Sequence, residues 1–119
     1  MSIIVAGNSV VLAPAAGATA NVGNVVTNTT TFHVLNASAT VYTYVGIFPT
    51  YAQAIAMDHP LVGSDAGGIP LAPNESMTIT GNFGSALMAT QANVYVSAIT
   101  ATGTTAVFFT PVVAGSSAD

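Results

Sequence analysis

Lysine and arginine do not occur in this chain of 119 residues, and cysteine and tryptophan are missing as well. Each absence removes a class of function. Nucleic-acid binding draws its affinity from basic side chains that neutralise phosphates, so DNA and RNA are poor partners. Phosphate-loop lysines, Schiff-base lysines, arginine fingers and polybasic membrane patches go with them. Without cysteine there is no disulfide and no thiolate metal site. Acids are scarce too: Asp58, Asp65, Glu75 and Asp119 are the whole complement. Charged residues make up 3% of the chain, against about 25% in an ordinary soluble domain. None lies in residues 1–57 or 76–118.

Long apolar runs are also lacking, although 51% of residues are hydrophobic and mean hydropathy is +0.67. A spanning helix needs about 20 mostly apolar residues in succession. Here Thr, Asn, Ser, Gly and Pro interrupt every stretch, and Val10-Val11-Leu12 runs into Ala13-Pro14. No cationic flank sets a topology, and no positive n-region makes Met1-Ser2-Ile3 the start of a signal peptide. The expectation is a soluble protein made in the cytoplasm, with no membrane partner. Abundant Val, Ile and Thr argue against disorder. The length fits a single domain spanning residues 1–119.

What is present is a series of short β-like runs separated by turn residues, the pattern of an antiparallel β-sandwich, Ig-like or jelly-roll-like. Ile3–Val5 and Val10–Leu12 flank Gly7-Asn8 within an N-terminal strand or arm over 1–12. Asn21–Thr31 is Thr-rich, Phe32–Asn36 follows, and Ala39–Phe48 reads as one extended run. Met77–Thr80 alternates. Asn93–Thr100 and Thr105–Val113 surround a turn containing Gly103, which predicts a hairpin. A single short helix is expected near 50–57, with Thr50 as N-cap and Gln53 completing a capping box, as a connection crossing the sandwich. Residues 61–76 read as a loop, with Pro73-Asn74 suited to the centre of a type II turn. Residues 114–119 read as a frayed tail.

Alternation also assigns faces. Val41, Val45 and Ile47 share one parity, and Tyr42, Tyr44 and Phe48 the other. Val94, Val96 and Ala98 oppose Tyr95 and Ile99. Around Phe108, both parities are apolar. A lone sandwich should show a polar outer face, so the surplus aromatics Tyr42, Tyr44, Tyr95, Phe108 and Phe109 are candidate interface residues. They predict a homo-oligomer, a trimer ahead of a dimer.

Candidate chemistry is thin. His33 and His59 are the only histidines, and with Asp58 they could make a metal site or a base pair of the hydrolase type, but a usual site needs three or four ligands. His33 fits a strand position, and Asp58-His59-Pro60 fits a helix stop. Gly63-Ser64-Asp65-Ala66-Gly67-Gly68 lacks the lysine of a phosphate loop, and Asp58 with Asp65 is a weak Ca²⁺ pattern. The reading is no catalytic residue, no metal and no cofactor. Asn28, Asn36 and Asn74 sit in formal glycosylation triplets that chance explains. The run Thr27-Asn28-Thr29-Thr30-Thr31 has an ice-binding composition, but it occurs once, and an edge strand or ladder accounts for it.

The stretch Ile69-Pro70-Leu71-Ala72-Pro73-Asn74-Glu75-Ser76-Met77-Thr78-Ile79, followed by Val94-Tyr95-Val96-Ser97-Ala98, a Thr-Gly turn and a last strand, resembles small β-sandwich structural proteins of tailed-phage virions. Asn74 stands where that pattern has Gly. The resemblance spans roughly residues 30–113. It implies a capsid decoration, or cement, protein on the outer capsid surface of the virion, with the major capsid protein as partner, non-enzymatic and stabilising the expanded shell. A head-fibre or tail/baseplate β-domain is the nearest alternative. A pilus or adhesin subunit and a small glycan-binding module follow.

The ligand inventory makes a direct prediction: EDTA leaves the melting temperature unchanged in differential scanning calorimetry. A fall that Ca²⁺ or Zn²⁺ reverses would assign a metal to Asp58, His59 and Asp65.

Overall fold

A computed structural model describes residues 3–16, 19–57, 68–81 and 87–114. The elements are β1 (Ile3–Val5), β2 (Val10–Leu12), β3 (Asn21–Thr29), β4 (Thr31–Asn36), β5 (Thr43–Phe48), α1 (Tyr51–Ile55), β6 (Ile69–Leu71), β7 (Ser76–Thr80), β8 (Leu87–Ile99) and β9 (Val107–Ala114). One sheet runs β1-β9-β4-β7, with β2 also on β9, and the other runs β3-β8-β5-β6. All pairings between these strands are antiparallel. They nest: β1 and β2 with β9, β3 with β8, β4 with β7, β5 with β6. A long hairpin rolled up in this way is a jelly roll. An Ig-like sandwich pairs its first two strands in one sheet; here β2 and β3 lie in different sheets.

Period-2 alternation builds the core. Leu12, Phe32, Val34, Ile79, Val107 and Phe109 from the first sheet meet Val25, Val45, Ile47, Leu71, Val94, Val96 and Ala98 from the second. All these side chains are buried. The inward parities expected for Val45, Ile47, Val94, Val96 and Ala98 are those observed. Val41 is the exception, because the strand starts at Thr43 and residues 37–42 cross between sheets.

Every connection after β2 except β5 to β6 crosses from one sheet to the other. This overturns the hairpin expected around Gly103. β8 and β9 belong to different sheets, so residues 100–106 form an arch. Gly103, with φ 72°, supplies the left-handed backbone, and turn chemistry is blind to which sheet follows. Thr100 Oγ1 closes the arch by donating to the Gly103 carbonyl at 2.7 Å.

The Thr-rich run is likewise a crossing. Thr30 alone separates β3 from β4, and a register shift between Thr27 and Thr29 bends the chain into the other sheet. Thr27, Thr29 and Thr30 are buried. The hydroxyls of Thr27 and Thr29 serve backbone groups within and beside the bend. Thr29 Oγ1 donates to the Val112 carbonyl at 2.9 Å and accepts from Thr31 N at 3.1 Å. The run therefore presents no flat ice-like face.

Asn36 ties the opposite end. It is fully buried, and its amide hydrogens reach the carbonyls of Val41, Leu71 and Ala72 at 2.8, 3.1 and 3.2 Å. Its Oδ1 accepts from Ser38 N at 3.2 Å and Thr105 Oγ1 at 2.7 Å. One carboxamide thus joins three of the four crossings at that end. The turn at 72–75 is built as the sequence predicts: Asn74 has φ 59° after Pro73, Glu75 N donates to the Ala72 carbonyl, and Ala72 N donates to Glu75 Oε1.

Other expectations need correction. Residues 69–71 form an edge strand rather than loop, with Pro70 at an edge where a missing N–H is tolerated. Ala114 ends β9 rather than starting a tail; residues 115–119, like 58–67, lie outside the described residues. The helix has the expected cap, with Gln53 N donating to Thr50 Oγ1 at 3.3 Å. It does not cross the sandwich. It lies between β5 and β6 of one sheet and packs on that sheet's outer face, where Ser97 Oγ donates to the Ala54 carbonyl at 2.8 Å. Met57, Ala20 and Ile99, with Tyr44 and Phe48 against them, make a second small core there. Gly46 admits it: a Cβ would lie 2.6 Å from the Phe48 ring and 2.8 Å from Met57 Sδ.

β1 and β2 both pair with β9, not with each other. Four residues, 6–9, face two on β9 between the paired stretches. The interruption sits at Pro111, which has no N–H to give in a central strand, the situation that calls for a bulge. Its carbonyl still accepts from Ala6 N at 2.7 Å.

Two substitutions test this account by urea denaturation. Asn36→Ala takes the partner from five groups, one buried and four partly buried, and should lower unfolding free energy by roughly 3 kcal/mol. Gly46→Val overpacks the Met57–Phe48 contact and should cost about 1–3 kcal/mol; an unchanged midpoint would contradict the packing of α1.

Candidate interaction surface

Among the described residues, no secondary-structure element covers the outer face of the first sheet. Val11 and Leu35 sit opposite Phe108 on its two sides, and Ser76 continues the row beside Leu35. Val11 is 53% exposed and Phe108 37%, and Leu35 is half-buried. The next row is polar. Thr110 faces His33, His33 faces Thr78, and Ser9 Oγ lies 2.7 Å from Thr110 Oγ1. Beyond it, the hydroxyls of Thr31 and Thr80 are 3.0 Å apart. An apolar row is thus flanked by uncharged hydroxyls. Glu75, the single acid among the described residues, is held in the 72–75 turn.

The five aromatics named from the sequence separate. Phe109 is fully buried between the sheets, which removes it from any interface. Its neighbour Phe108 points outward, as alternation demands. Tyr44 is half-buried in the cluster under α1, so the chain covers it itself. Tyr42 is 57% exposed in the 37–42 crossing. Tyr95 is half-buried on the outer face of the second sheet, where Tyr51 stacks edge-on at 6.2 Å and 80°. The sequence reading thus overstates the aromatic surplus, because it gives no partner to Tyr44 and no interior place to Phe109. It also misses Tyr51 and Val11. A short helix start and a three-residue strand carry too little periodicity to assign a face.

Chemistry of other kinds finds little to work with. Among the described residues, no three His, Cys, Asp or Glu side chains gather. His33 lies among threonines. Asp58, His59 and Asp65 fall outside the described residues. A cleft of about 290 Å³ between the 6–9 bulge and β3 is lined by Asn8, Ser9, Val10, Asn24, Val25 and Val26, none of them titratable. The Asn36 amide is buried and bonded, so it cannot accept a glycan. No helix among the described residues is long and apolar enough to cross a membrane.

The separation of neighbours predicts opposite outcomes in chemical denaturation. Phe109→Ala should cost about 3–5 kcal/mol as a core cavity, whereas Phe108→Ala should cost about 1 kcal/mol or less. Comparison with protein-family models, with curated proteins and with solved structures finds no match to this chain.

Proposed function

We propose that this chain is a non-enzymatic structural protein of a phage virion, a decoration protein that binds the major capsid protein on the outer surface of the expanded head. The observation that carries the reading is the uncharged outer face of the first sheet, with Val11, Phe108 and Leu35 in one row and hydroxyls around it. Such a face docks by apolar burial and hydrogen bonds alone. The segments of the phage-like pattern support it further. Pro73-Asn74 turns into β7, and Val94–Ala98 lies in β8, ahead of the Gly103 arch and the last strand. Jelly rolls recur in capsid proteins and in lectins, and fold alone does not choose between them.

The same reading makes the protein a homo-oligomer, a trimer at threefold positions of the shell. Tyr42, exposed at the end that Asn36 ties, suits subunit contact, because its ring packs while its hydroxyl stays wet. A net charge of −4 gives little repulsion between copies.

The test is attachment to expanded heads. The protein should bind in hundreds of copies by quantitative mass spectrometry, and attachment should hold from low to physiological ionic strength, because no basic residue is present to be screened. Phe108→Asp should abolish attachment while leaving the fold intact by circular dichroism. A dozen copies or fewer would place the protein in the tail or a fibre. Attachment that Phe108→Asp does not change would remove this face from the proposal. Light scattering that gives a monomer at micromolar concentration would end the trimer reading.

A further inference from the structure

We propose that the uncovered half of the second sheet's outer face is a binding site for neutral glycans, made by Tyr51, Tyr95, Asn24 and Asn93. The site follows from register. Asn24 on β3, Tyr95 on β8 and Phe48 on β5 stand side by side in one outward row. Val26 and Asn93 form the next row. The row on the other side, Val22, Ser97 and Gly46, lies where Ser97 binds α1. The helix therefore covers one half of the face and stops, and its first residue, Tyr51, stands edge-on to Tyr95 at the boundary.

The chemistry of the uncovered half is specific. Tyr51 is 56% exposed, Asn24, Asn93 and Gln53 are exposed, and Tyr95 is half-buried beside Tyr51. Aromatic faces carry negative charge density, which matches the weakly positive C–H faces of a pyranose ring. Carboxamides at the rim offer a donor and an acceptor each, the complement of sugar hydroxyls. No lysine or arginine exists to hold a sulfate, a sialate or a uronate, so the fitting ligand is uncharged. A stable protein–protein interface needs about 800 Å² per partner around a packed apolar centre. This patch instead sets one edge-on pair of tyrosine rings among exposed amides. It is distinct from the Val11–Phe108–Leu35 row on the other sheet, so the inference does not depend on capsid attachment.

Tyrosine emission reads the test, because the chain has four tyrosines and no tryptophan. The full chain is titrated separately with cellohexaose, chitohexaose, xylohexaose and mannohexaose, and with a heparin hexasaccharide as charged comparator. At least one neutral sugar should give a saturable change, and heparin none. Isothermal titration calorimetry should then show Tyr51→Ala binding that sugar about tenfold more weakly. Asn24→Ala should also weaken it, and Thr102→Ala, at an exposed position of the Gly103 arch, should bind as the unaltered chain does. Melting curves check that each variant folds. Failure of all four neutral sugars to saturate would overturn the proposal, as would Tyr51→Ala and Asn24→Ala variants that bind unchanged. If no sugar binds but these variants lose capsid attachment, the patch is a protein-contact surface and the glycan site is refuted.

Discussion

The carboxamide of Asn36 holds together a fold that has no ion pairs to spare. Six of its connections pass from one sheet to the other, and each takes backbone groups out of the ladders. Buried N–H and C=O groups without partners cost about 1–3 kcal/mol apiece, so these crossings need donors and acceptors that lie close and carry no charge. Asn36 supplies both. Its amide reaches three carbonyls from two crossings, and its oxygen takes a backbone N–H from one of these and a hydroxyl from a third. Aspartate offers only acceptors and leucine neither, so the position requires an amide.

Threonine does the corresponding work at the other end. Where β3 becomes β4 within one residue, the hydroxyl of Thr29 accepts from one backbone group and donates to another, and Thr27 Oγ1 donates to the Ala6 carbonyl at 3.3 Å. A β-branched residue that also carries a hydroxyl can remain extended and still satisfy a bend. The high Thr and Asn content thus has a structural purpose that replaces the lysines, arginines and acids of ordinary domains. Gly81 N closes the same end on the Thr30 carbonyl at 2.9 Å.

With the interior satisfied by neutral groups, the two outer faces take different characters. The second sheet buries half its surface under α1, which Gly46 lets approach and Ser97 holds. Tyr51 and Tyr95 remain at the margin. Among the described residues the first sheet has no such cover, and it keeps Val11, Phe108 and Leu35 in a row among hydroxyls. Both faces lack charge among the described residues, so neither attracts a partner over a distance. Any complex forms by short-range fit, and its lifetime depends on burial and hydrogen bonding.

The sequence by itself determined the all-β character, the inward parity of Val45, Ile47, Val94, Val96 and Ala98, the Thr50 cap and the Pro73-Asn74 turn. Each is a local property: side-chain alternation, a capping hydroxyl, a residue that accepts positive φ. The lack of basic residues was equally legible. Tertiary structure decided the rest. Only pairing shows that the Gly103 turn is an arch, that Phe109 is interior while Phe108 is not, and that Tyr44 lies beneath a helix. It alone makes Asn36 a hub instead of a stray triplet. The physical reason is that alternation fixes which residues share a face of a strand, while the sheet that a strand joins depends on hydrogen-bonding partners distant in sequence. In nested pairing those partners are as far apart as β1 and β9, and no local pattern encodes them.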